Sequence, residues 1–72
     1  MRKRSLTIGG HRTSITLEDA FWRELAALAS SRRLSLSALV AEIDEKRSGP
    51  GNLASTLRLH VLEALKEKIS RA

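Results

Sequence analysis

The sequence predicts a mainly α fold with a short antiparallel β-ribbon at its start. Three observations carry this. Polar and apolar residues alternate from Ser5 to Ile8 and again from His11 to Leu17, around a Gly9–Gly10 pair. After Leu17 the apolar residues recur at helical spacing in three successive stretches. The chain has 72 residues and no cysteine, so one small domain must hold together without a disulfide.

Residues 1–10 read as a basic arm with a candidate edge strand and turn. Arg2, Lys3 and Arg4 have no apolar neighbour and suit phosphate. The glycine pair reads as a two-residue hairpin turn or as a hinge. A two-residue turn pairs Ile8 with His11, Thr7 with Arg12, Leu6 with Thr13 and Ser5 with Ser14. Leu6, Ile8, Thr13 and Ile15 then share one face, and Ser5, Thr7, Arg12 and Ser14 the other.

Residues 11–47 hold strand, helix and helix. The first helix begins around Glu18, with Thr16 and Asp19 spaced as a capping box. Phe21, Leu25 and Leu28 form its stripe, and Trp22 beside them is expected to pack rather than stack on a base. Ser35 is the expected N-cap of the second helix, whose stripe is Leu36, Leu39, Val40 and Ile43. Lys46 and Arg47 suit its negative end. The linker 48–52, with the single proline, ends it. Residues 53–72 form a third helix capped by Asn52, with a stripe of Leu53, Leu57, Val61 and Leu65 widened by Leu59, Leu62 and Ile69. It carries more apolar surface than a lone helix tolerates, so it should pack on the other helices or on a second chain.

A strand needs a partner for its backbone groups. A second copy of strand 11–17 across a twofold axis supplies one. The expected dimer core is Ile15, Leu17, Phe21, Trp22, Leu25, Leu28, Leu36, Leu39, Val40 and Ile43. Net charge is +5, from 13 Lys and Arg against 8 Asp and Glu, which favours polyanions. No apolar run reaches membrane-spanning length and no secretory core is visible, so no membrane partner is expected and the protein reads as cytoplasmic. His11 and His60 lack a motif linking them to a nucleophile or metal. No catalytic residue, metal or cofactor is expected, and no enzyme.

The stretch "RTSITLEDAFWRELAALASSRRLSLSALVAEI", Arg12 to Ile43, resembles the ribbon-helix-helix family of DNA-binding repressors. A polar-alternating strand ending in "TL", an acidic helix start, an "LS" turn and a second apolar helix carry the resemblance. "GHRTSITLED" and "GNLASTLRLHVL" extend it toward small bacterial proteins with this domain and a third helix. The resemblance implies an intertwined homodimer, a transcription regulator whose ribbon enters the major groove of double-stranded DNA. It implies base contacts from Arg12, Ser14 and Thr16. It also implies phosphate at the start of helix two, near Ser35, Leu36 and Ser37, with Arg32 and Arg33 adding charge. Family members usually have glycine where this chain has Arg33, a position of left-handed backbone. The alternative is a dimeric protein-interaction module of the same fold that does not bind DNA.

Overall fold

The computed structural model describes residues 1–47 and 52–71. Two strands come first, β1 (Arg2–Ile8) and β2 (His11–Leu17). Three helices follow, α1 (Asp19–Ser31), α2 (Leu36–Lys46) and α3 (Leu53–Arg71). The strands form one antiparallel two-stranded sheet.

The turn between them is the two-residue kind. Gly9 and Gly10 have φ of 57° and 82°. Positive φ at both central residues is what a type I′ hairpin turn requires, and its twist matches that of the strands. Nothing lies within 4 Å of a Cβ built at either glycine, so backbone conformation rather than space calls for glycine there. The register runs from Ile8↔His11 through Ser5↔Ser14 to Arg2↔Leu17. The hinge reading of the glycine pair is thereby replaced by a turn. The arm is strand as far back as Arg2, not only over residues 5–8.

One face of the hairpin carries Ile8, Ile15 and Leu17, all buried, with Leu6 packed beside them. The helices lie on this side: α2 packs on β1 and α3 on β2. Trp22, Leu25, Ala29, Leu39, Val40, Ile43, Leu57 and Val61 complete the core. Phe21, Leu28 and Leu36 are partly buried against it. The side chains expected between two chains are thus already gathered inside one. The partner that satisfies β2 along one edge is β1 of the same chain, not a second copy.

The α1–α2 corner is a Schellman turn. Leu34 N–H donates to the Ala29 carbonyl at 2.8 Å and Arg33 N–H to that of Ser30 at 3.0 Å. Arg33 sits at φ 57°, the left-handed position expected for it. Ser35 caps α2 by accepting from Ala38 N–H at 3.1 Å, and Asn52 caps α3 by accepting from Ala54 N–H at 2.9 Å. The Thr16–Asp19 capping box does not form. The N-cap of α1 is Glu18, with no side-chain cap bond, because Thr16 is held in β2 opposite Lys3. The 48–51 part of the linker lies outside the described residues.

Helix α3 buries Leu57 and Val61 but leaves Leu59, Leu62, Leu65 and Ile69 exposed, Ile69 at 73%. Its expected packing on the other helices is therefore made by one face only. No helix of the described residues is long and apolar enough to cross a membrane.

Candidate nucleic-acid interface

The pleat sends alternate residues of each strand away from the helices. On β2 these are Arg12, Ser14 and Thr16, and all three are exposed. Opposite them on β1 stand Thr7, Ser5 and Lys3, also exposed. The Ser5 and Ser14 hydroxyls lie 3.4 Å apart. No carboxylate interrupts this face, because residues 1–17 contain no Asp or Glu. Four of the chain's Lys and Arg lie in those residues, whereas the rest of the chain holds nine against eight acidic groups. Most of the net positive charge therefore belongs to the hairpin.

Arg2 and Arg4 are on the opposite face from Lys3. Arg2 Nε donates to Asp19 Oδ1 at 2.9 Å, and its carbonyl accepts from Trp22 Nε1 at 2.9 Å. The Arg4 guanidinium lies 5.6 Å from the Trp22 ring centroid, a cation–π contact. Trp22 itself is only 4% exposed, as its place beside an apolar stripe suggested. These contacts fasten the first strand to α1. The arginines expected as a free basic arm are thus turned toward the helical body. Period-two parity with Leu6 and Ile8 carried that signal.

The start of α1 is held by two ion pairs. Asp19 takes Arg2, and Glu18 takes Arg58 of α3 at 2.9 Å. Each arginine holds its partner carboxyl below the usual range, by hydrogen bonding first. Arg58 also lies 5.8 Å from the Phe21 ring centroid. Nothing in the sequence pointed to Arg58, which is 40 residues from Glu18.

At the α1–α2 corner the expected phosphate residues do come together. Ser35, Leu36 and Ser37 open α2, preceded by Arg32 and Arg33. Arg32 makes a two-pronged contact to Glu42, with Nη1 and Nη2 at 2.7 and 3.0 Å from its oxygens. That pairing raises the Arg32 pKa and lowers that of Glu42. Its charge is locally matched, while Arg33 is exposed on the turn. Among the described residues no group of three or more His, Asp or Glu is placed to hold a metal ion.

A two-stranded ribbon, a Schellman corner and a Ser-capped second helix follow one another in this order. The model of the ribbon-helix-helix domain family matches residues 1–65. The chain belongs to the ribbon-helix-helix family. The match spans β1 and most of α3 as well as the β2–α1–α2 unit, so both flanking elements lie within the matched region. Ribbon-helix-helix domains are commonly those of DNA-binding transcription regulators. No curated protein and no solved structure is matched by the chain.

Proposed function

We propose that this ribbon-helix-helix protein is a homodimeric, sequence-specific DNA-binding regulator of transcription that inserts its β-ribbon into the major groove. The observation that carries the proposal is the outward face of the hairpin. It is polar, free of carboxylates, and carries Lys3 and Arg12, on a hairpin that holds most of the net charge of the chain. Arg12 provides a fork for guanine, and Ser14 and Thr16 provide hydroxyls that serve any base. Lys3 and Arg33, both exposed, are the phosphate contacts best placed to act. Arg2, Arg4 and Arg32 contribute to the field, although Arg2 and Arg32 are engaged with carboxylates. Phosphate at Leu36 and Ser37 is favoured by the helix start.

Dimerisation is supported by size and by surface. A 72-residue domain without disulfides usually needs a further staple. Leu59, Leu62, Leu65 and Ile69 lie exposed along α3 and suit a second copy of the same helix. The test is the affinity for duplex DNA between about 50 and 200 mM salt, which should fall steeply as phosphate contacts release counterions. Weak binding that ignores salt would turn the assignment toward the protein-interaction alternative.

A further inference from the structure

We propose that Arg2, Arg4 and Arg23 form a cleft that binds a phosphate group and thereby ties the first strand to the first helix. Such a cleft is independent of the DNA-binding reading above. It lies between β1 and α1, has a volume of about 290 Å³, and is lined by Arg2, Arg4, Asp19, Trp22, Arg23 and Ala26. Three guanidinium groups there meet a single carboxylate. Asp19 is already engaged, because Arg2 Nε donates to its Oδ1 at 2.9 Å. That bond takes one of the five N–H donors of Arg2. Among the described residues, Arg4 and Arg23 pair with no carboxylate. The Arg4 guanidinium is held instead 5.6 Å from the Trp22 ring centroid.

Helical and strand spacing build this cleft together. Asp19, Trp22, Arg23 and Ala26 stand at i, i+3, i+4 and i+7 and share one side of α1. Arg2 and Arg4 share the face of β1 opposite Lys3. The bond from Trp22 to the Arg2 carbonyl holds that strand against the helix. Like charges gathered in this way repel one another, and an anion shared between them removes the cost. A guanidinium fork matches the oxygens of a phosphate, and a phosphate has oxygens enough to accept from several arginines at once. Trp22 is buried, so it offers no open ring for a base to stack on, and recognition is of the phosphate itself. A free phosphate compound and the DNA backbone share this chemistry. The cleft opens beside α1 and not on the outward face of Lys3 and Arg12, which favours the free compound.

The probe is pyrophosphate, added to the full chain at an ionic strength held constant with chloride. It should raise the Tm by about 5–10 °C at about ten times its Kd. Amide exchange at residues 2–4 should slow with it. Arg4→Gln and Arg23→Gln should each weaken binding by about tenfold or more, and together abolish the response. Lys66→Gln removes the same charge from α3, outside the cleft, and should keep the response. Circular dichroism checks that each variant is folded, and Arg23→Gln alone suffices if Arg4→Gln is not. A second arm separates the two sources of phosphate through the salt dependence of duplex DNA binding. A wild-type slope in the double variant assigns the cleft to a free phosphate compound. A slope smaller by about two, with no response to pyrophosphate in the wild type, assigns it to the DNA backbone. A pyrophosphate response equal in wild type and double variant, or absent from both, with an unchanged salt slope, would overturn the cleft and leave the DNA-binding reading standing. A wild type that responds to pyrophosphate but binds no DNA would overturn that reading and leave the cleft.

Discussion

The indole Nε1 of Trp22 donates a 2.9 Å hydrogen bond to the backbone carbonyl of Arg2, joining the second turn residues of α1 to the first residue of β1. The same ring lies under the Arg4 guanidinium. One side chain therefore anchors the open end of the hairpin, and the glycine turn fixes the other end. Trp22→Phe keeps an aromatic ring in the core but removes the donor. It should lower stability by about 1–2 kcal/mol, from the lost bond and the smaller ring. Amide exchange should quicken at residues 2–4 before residues 6–8. Equal acceleration along the whole strand would mean that the anchor is not local.

Arg33 stands at φ 57° in the corner between α1 and α2. A non-glycine residue there costs about 1–2 kcal/mol. Glycine would relieve that cost but brings extra freedom to the unfolded chain, worth about 0.4–1 kcal/mol. Arg33→Gly should therefore stabilise the protein by about 0.5–1 kcal/mol, read as a raised denaturation midpoint. Arg33→Ala, which keeps the Cβ, should give no such gain. A midpoint that rises equally in both would assign the effect to the loss of charge.

Acid should weaken this fold through three carboxylates. Glu18, Asp19 and Glu42 have pKa values lowered by Arg58, Arg2 and Arg32. A depressed folded pKa contributes stability above the unfolded value and loses it as pH falls through the folded value. Stability should be level near neutral pH and decline below about pH 4, where free carboxyls begin to protonate. Glu18→Gln should make the acid decline shallower, because one of the three groups no longer titrates. The Asp19–Arg2 pair is solvent-exposed and the other two are partly so, so the effect should shrink in high salt. Thermal melts from pH 7 to pH 3 at two salt concentrations measure both effects.

The exposed side of α3 tests the proposed dimer. Leu62 is 48% exposed and Ile69 73%, so neither is needed to close the core of one chain. Leu62→Glu combined with Ile69→Glu should leave helical content unchanged and shift the protein to monomer in sedimentation experiments. A dimer that survives the pair of substitutions places the contact elsewhere, with the unpaired edge of β2 the next surface to examine.

The parts of this fold that were legible are those set by local periodicity. Leu6 and Ile8 on one strand and Thr13 and Ile15 on the other fall on one face across a two-residue turn, which fixed the hairpin register from the sequence alone. The absence of glycine at Arg33 marked the strained corner. Arg2 and Arg4 have the same parity as Leu6, yet charge obscured it, because a charged residue on an inward face is legible only once Trp22 and Asp19 are known to be its neighbours. The Glu18–Arg58 pair joins residues 40 apart and left no local trace. The apolar surplus of α3 was plain, but which part would be buried depended on where α1 and the hairpin lie. In the candidate site, β2 was legible through its alternation. Ser5 and Thr7 stand in phase with it across the hairpin.

Removing residues 2–8 tests whether the hairpin is a necessary part of one chain. The deletion takes Ile8 from the core and the partner strand from β2. It also removes the surface on which α2 packs and the carbonyl that binds Trp22. A lone strand cannot keep its backbone groups paired, so the remaining β2 must fray or find another edge. A second copy of β2 is the one edge always available. The truncated chain should therefore fold only as concentration rises, with a Tm that climbs more steeply with concentration than that of the full chain. Crosslinking from Ser14 to its counterpart should appear in the truncated protein and not in the full chain, where β1 supplies the pairing. If the truncated chain instead melts at the full-length Tm, independent of concentration, β1 contributes nothing to the fold and the hairpin is only an appendage.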